Sequence, residues 1–296
     1  MGVNRSVPDT EKVNSNTKLI SAMSIGSIVE KIHSEDFRAY SSVGKSVTKV
    51  SKVIQRALGC VKSGGRVIYV GSGTSGRIGA QDAIEMWPTY GLGRETFDYL
   101  IAGGKIALTK SIEGAEDSEE SAVRELNKKK LTDRDCVIGI TASGRTPFVV
   151  AALREAKARG CFTAAIVNSS ESPLKKVAEV VIFLNSGPEV IQGSTRMKAA
   201  TSQKMVLNII STTIAIKLGR TYGNRMFHMK ASFNKKLKLR AARMMSERFG
   251  LSETAAKGVL EENAYNLEKT VRQLERQVMR DCFQTPKMFG NCFNPS

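Results

Sequence analysis

The chain has 296 residues, 41% of them hydrophobic, and carries 45 Lys+Arg against 28 Asp+Glu for a formal net charge of +17. That is enough apolar residue for one large domain, or a main domain with an appendage, and it argues against a largely disordered chain. Five scattered cysteines without a C-x-x-C pair, and two histidines (His33 and His228), argue against a zinc site or a disulfide framework, and no apolar run approaches membrane-spanning length.

Residues 1–18 are polar, lack the apolar core of a signal peptide and read as a mobile arm. They open on Met-Gly-x-x-x-Ser, a formal N-myristoylation pattern that is short enough to arise by chance. Residues 20–62 are helical by spacing: Ile25, Ile28, Val29 and Ile32 fall at i, i+3, i+4 and i+7, and Val43, Val47, Val50, Val53, Ile54 and Leu58 follow. Gly64-Gly65 ends that stretch. A βα alternation comes next, with strands at 66–70, 98–104, 136–140, 162–167 and 179–184 and helices at 76–86, 118–129 and 147–158. Continuous apolar strands alternating with helices predict a parallel sheet covered on both faces, an α/β fold. From 194 onward the pattern is all helical (194–218, 231–248, 252–262, 264–279), ending in a turn-rich tail. The expected divisions are 1–62 (arm and helices), 63–225 (the α/β domain) and 226–296 (a helical C-terminal subdomain).

From Lys217 to Arg243 the chain has nine Lys/Arg and no acid, with Tyr222, Phe227 and Phe233 among them. A nucleic-acid surface would show basic residues interleaved with aromatics. A solvated helix face with a general pull on anionic substrates is the favoured reading.

In such a sheet, ligands bind beyond the carboxyl ends of the strands. After the first strand comes Gly71-Ser72-Gly73-Thr74-Ser75-Gly76-Arg77, a literal G-x-G-x-x-G. A dinucleotide site would also need an acid at the end of the second strand, which instead ends Leu100-Ile101-Ala102-Gly103-Gly104; Asp98 stands at its start. A P-loop would need Gly-Lys-Ser/Thr, and none follows a strand. The third strand is followed by Thr141-Ala142-Ser143-Gly144-Arg145-Thr146-Pro147, so both loops read as small residues, Ser-Gly-Arg and then a helix. Two loops with hydroxyls at Thr74, Ser75, Ser143 and Thr146, each at a helix N-terminus, suit one phosphate group. The acids Glu85, Glu113, Glu116, Asp117 and Glu189 fall near the same edge, and a further loop brings Ser194 and Lys198. Two carboxylates facing a phosphate-anchored sugar suffice for acid/base chemistry without a metal or cofactor.

The stretches "GSGTSGRIGAQDAIEMWPTYG", "SIEGAEDS", "GITASGRTPFVVAALREAKARG" and "GPEVIQGSTRMKAATSQKMVLN" resemble the N-acetylmuramic acid 6-phosphate etherases, of the sugar isomerase (SIS) domain superfamily. The match runs from roughly residue 10 ("TEKVNSNTK") to 250 and is densest in 63–225. The resemblance implies a three-layer αβα domain with a five-stranded parallel sheet, a cytoplasmic homodimer, and no cofactor. It implies cleavage of the lactyl ether of N-acetylmuramate 6-phosphate by elimination and water addition. Glu85 would donate the proton to departing lactate, and Glu116 would be the base at C2. Glu85 would then be held protonated above the ordinary value of about 4.3 by burial beside Met86, Trp87 and Tyr90. The phosphate falls to Thr74, Ser75, Ser143, Gly144, Arg145 and Thr146, with Ser194 and Lys198, and Glu189 faces the sugar. The chain departs from the family pattern at Met86-Trp87, where Cys-Pro is usual, at His228, where Asp is usual, and at Ser21-Ala22. The alternatives are a non-catalytic sugar-phosphate sensor, as in the related glucokinase regulatory protein, and a transcriptional regulator. Both glutamates argue against the first; the lack of helix-turn-helix punctuation in 1–62 argues against the second.

Overall fold

A computed structural model describes residues 7–226, 232 and 235–284. Two compact units divide the chain: one of residues 1–86 and 92–218, the other of 87–91 and 219–296. In the first, a five-stranded parallel sheet runs in the order β2-β1-β3-β4-β5, built from β1 (Val67–Gly71), β2 (Phe97–Ile101), β3 (Cys136–Thr141), β4 (Phe162–Val167) and β5 (Val180–Phe183). Every residue of β1, β3 and β4 is buried, which is why those segments read as unbroken apolar runs. One face packs Ile68, Val70, Val137, Ala165 and Val167 against residues of α4 (Glu119–Lys128) and α5 (Pro147–Ala158). On the other side of the sheet, α2 (Val47–Lys62) contacts β4 and β5 and lies against α7 (Lys198–Lys217), which also carries α1 (Ile25–Gly44). The three-layer αβα expectation therefore holds, and α3 (Gly73–Tyr90) and α6 (Leu174–Val177) complete the set of helices in chain order.

Two expectations are corrected. The N-terminal arm is not loose from residue 9 onward: it forms three short 3-10 turns tied to distant parts of the chain. Asp9 accepts from the Ser170 amide (2.8 Å) and hydroxyl (2.7 Å), and Thr17 donates to the Val190 carbonyl at 2.8 Å. Burial alone would raise the Asp9 carboxyl, but hydrogen bonds from Lys12 and Ser170 outweigh it and hold it at about 2. The second concerns α1: the expected helix is there, but its apolar face is not core. Ile25 is 83% exposed and Val29 and Phe37 are exposed too, while the buried residues of that helix are Glu35, Ala39, Ser42 and Val43.

The second unit holds a hairpin, β6 (Thr221–Tyr222) and β7 (Arg225–Met226), in the stretch between the expected helices 194–218 and 231–248, and the helices α8 (Lys235–Phe249), α9 (Glu253–Glu262) and α10 (Leu267–Gln284). Ala241, Met245, Leu260, Val271 and Leu274 form its own small core. The Tyr222 ring is covered by the Arg248 guanidinium, 4.0 Å from its centroid. Phe227, His228, Phe233, the myristoylation pattern and the tail lie outside the described residues.

Candidate active site

The first loop closes because two glycines allow it. A Cβ at Gly76 would stand 2.7 Å from Ile101 Cγ1 and 2.8 Å from the Gly71 carbonyl oxygen, so strand, turn and helix meet only with glycine there. This places Ser72, Gly73, Thr74 and Ser75 at the start of α3, around a cavity of about 290 Å³ at the small end of the range for ligand pockets. The second loop reaches the same cavity through Thr141, Ala142, Ser143 and Thr146, with Pro147 starting α5. Two helix N-termini therefore face one space, each with unpaired amides and the positive end of its dipole.

The hydroxyls there are already ordered. Ser75 donates to Gln203 Oε1 at 2.8 Å, and Gln203 donates in turn to Asn168 Oδ1 at 2.8 Å. The Thr141 and Thr146 hydroxyls are 2.7 Å apart, and the Arg145 amide donates to Ser143 Oγ. Arg77 also lines the cavity; its guanidinium donates to the carbonyls of Ala107 (2.9 Å) and Lys110 (3.0 Å), which pins the segment after β2 to α3. That segment carries Glu113 and Glu116 into the cavity. Ser111 donates to Glu113 at 2.8 Å, whereas Glu116 is half-buried and no described residue pairs with its carboxylate.

Of the residues expected at the site, Thr74, Ser75, Ser143, Thr146 and Glu116 line this cavity. Gly144 and Arg145 stand beside it in the second loop: the Gly144 carbonyl accepts from Ser172 and the Arg145 guanidinium from its Nε donates to the Glu171 carbonyl. Glu189, Ser194 and Lys198 do not line it. Glu189 is fully buried and accepts from the Lys198 (3.1 Å) and Ala199 (2.9 Å) amides, capping α7; burial pushes its carboxyl up against the pull of those amides. Lys198, equally buried, is paired with Glu35. Burial would raise the Glu35 carboxyl, but Asn16, Lys198 and Asn14 donate to it and hold it at about 2.

Glu85 is also outside the cavity. It is exposed, so the burial expected beside Met86, Trp87 and Tyr90 does not enclose it in the single chain. It stands eleven residues beyond Thr74 on α3, about 16 Å along a helix axis.

Curated relatives are similar to this chain over most of its length. One from Pseudothermotoga lettingae, named N-acetylmuramic acid 6-phosphate etherase, is 43% identical over 92% of this chain and 91% of its own. One of the same name from Petrotoga mobilis is 45% identical over 85% of this chain and 84% of its own. The chain belongs to the N-acetylmuramic acid 6-phosphate etherase family. Residues 49–157 match the glucokinase regulatory protein N-terminal SIS domain and residues 115–212 the SIS domain. A phosphoheptose isomerase from Francisella tularensis has the same fold, with a TM-score of 0.52 at 14% identity, covering 66% of this chain and all of the other.

The sequence reading did not single out Ser72, Arg77, Thr141 or Thr195 as site residues, although the first three stand within the two loops it identified. Glu11, in the arm, was missed altogether. Among the described residues no helix is long and apolar enough to cross a membrane, and no cluster of His, Cys, Asp and Glu suits a metal ion.

Proposed function

We propose that this chain is an etherase that cleaves the D-lactyl ether of N-acetylmuramate 6-phosphate to N-acetylglucosamine 6-phosphate and lactate. One observation carries the proposal: an unpaired carboxylate, Glu116, shares a cavity with two hydroxyl-bearing loops at helix N-termini. The loops hold the phosphate through the amides and hydroxyls of Thr74, Ser75, Ser143 and Thr146. In the open-chain sugar the C2 proton is acidified by the neighbouring aldehyde, and Glu116 removes it. The C3–O bond breaks, lactate leaves with a proton from a general acid, and water adds to the unsaturated aldehyde at C3 as C2 is reprotonated.

The acid is Glu85, and in this reading it comes from a second copy. Glu85 stands ~16 Å along the helix from Thr74, the five bonds from phosphorus to C3 of the sugar span at most about 7 Å, and the Glu85 side chain is exposed and outside the cavity. A homodimer also covers the apolar residues that the single chain leaves in water, Leu19, Ile25, Val29, Phe37 and Tyr40. Free thiols at Cys60, Cys136 and Cys161 suit a reducing compartment such as the cytoplasm. Purified protein given N-acetylmuramate 6-phosphate is expected to release lactate and N-acetylglucosamine 6-phosphate in equal amounts. No lactate at high enzyme concentration overturns the proposal, and sugar-phosphate binding without turnover would favour a sensor instead.

A further inference from the structure

The N-terminal arm carries Glu11 to the wall of the cavity, which Thr195 also lines. Its position is fixed from both sides. The Gln192 side chain donates to the Glu11 carbonyl at 2.8 Å, the Gly193 amide donates to the Thr10 carbonyl, and Asp9 and Asn14 are tied down at either end. Gly193 has φ +74°, and a Cβ there would stand 2.7 Å from Glu11 Oε2, so glycine is what leaves room for the carboxylate. No described residue donates to that carboxylate. Lys12, next in sequence, is paired with Asp9 instead.

An anion on the wall of a phosphate pocket is repelled by the phosphate unless a hydrogen-bond donor lies between them. The strand order says where that donor would be. The loops after β1 and β3 lie between the Glu113/Glu116 segment on the β2 side and Glu11, which is anchored to the segments following β4 and β5. A sugar held by its phosphate at the two loops therefore has Glu116 to one side and Glu11 to the other.

We infer that Glu11 is a substrate-recognition residue, its carboxylate accepting a hydrogen bond from a neutral donor of the sugar, a hydroxyl or the acetamido N–H. The inference rests on the sugar-phosphate reading above, but its test does not depend on turnover. N-acetylglucosamine 6-phosphate and inorganic phosphate are titrated calorimetrically into the intact protein and into Glu11→Gln. Gln keeps the shape and loses the charge, so sugar-phosphate affinity should fall roughly tenfold or more, the scale of a charge-assisted hydrogen bond. Inorganic phosphate, which does not reach Glu11, should bind within about twofold of wild type or slightly tighter as repulsion is relieved. Unchanged sugar-phosphate affinity overturns the inference. Equal losses for both ligands overturn it too, because they would make Glu11 a prop for the loops. Sugar-phosphate binding without lactate release in the wild type would sink the etherase reading alone, and the same two titrations would still decide the role of Glu11.

Discussion

If Glu85 acts across a dimer, two dead variants should restore each other. Glu85→Gln and Glu116→Gln each remove a group that moves a proton, and each homodimer is expected to lose about 10²–10⁴-fold in turnover. In a mixed dimer, one site combines the intact Glu116 of the first chain with the intact Glu85 of the second, and the other site lacks both. Random assortment of equal amounts makes about half of the dimers mixed, with one working site in two, so activity should recover to roughly a quarter of wild type. The argument comes from α3. Glu85 stands eleven residues past Thr74 on that helix, about 16 Å along its axis, and it is exposed rather than folded back toward the cavity. The assay is lactate release after co-expression of the two variants with different tags and purification of the doubly tagged species. That species should have roughly half of the wild-type activity per dimer. If it is no more active than its parents, both glutamates act within one chain and the distance argument fails.

Other changes should have effects of readable size. Ser143→Ala and Thr146→Ala should each weaken inhibition by inorganic phosphate by about tenfold, since each removes a hydroxyl from an anion site. Gly76→Ala should cost about 2–3 kcal/mol in urea denaturation, because the new Cβ meets Ile101 and the Gly71 carbonyl where neither has room to move. Glu35→Gln should cost about 3–5 kcal/mol at pH 7, since it leaves Lys198 charged and buried without its partner. The wild-type pair also sets a pH dependence. The Glu35 carboxyl is lowered from 4.5 to about 2, so its contribution is complete above about pH 5 and is lost as pH falls toward 2, up to about 3 kcal/mol. Denaturation of Glu35→Gln and wild type should therefore converge in acid, and a constant gap between pH 7 and pH 2 would contradict the assignment.

The strands and the two loops were legible because their signals are local. Unbroken apolar runs followed by small residues and a helix start identify a parallel strand and its loop, whatever the rest of the chain does. The arm was not legible because nothing local holds it. Asp9 is tied to Ser170, Thr17 to Val190, and Asn14 to Glu35 and Pro188, and no periodicity in residues 7–18 announces partners 21 to 174 residues away. Glu189 and Lys198 looked like site residues because acids and cations after a strand so often are. Burial gives them another task, the cap of α7 and the partner of Glu35. The stripe on α1 was read correctly as helix, but spacing says only that a face is apolar, and Ile25 and Val29 stay exposed in the single chain. The hairpin at 221–226 was hidden by its length, two residues to a strand.

In the proposed dimer the same length constraint gives one helix a part in two sites. A phosphate loop that uses the helix dipole must sit at the N-terminus of α3, because the stabilising field fades within the first turn. A residue eleven positions further on is displaced by three turns, about 16 Å along the axis. Within one chain Glu85 is exposed and does not line the cavity between the loops. Under a twofold axis the start of α3 holds the phosphate of its own site while its later turns carry Glu85 to the partner's. If Glu85 acts across a dimer, as proposed, the dimer is a requirement of the chemistry as well as a cover for the apolar face of α1. Changes that loosen the dimer, such as Ile25→Asp and Phe37→Asp together, should abolish lactate release while leaving inorganic phosphate bound with wild-type affinity. Full turnover by a protein shown to be monomeric in sedimentation would show that Glu85 has no part in the reaction across subunits.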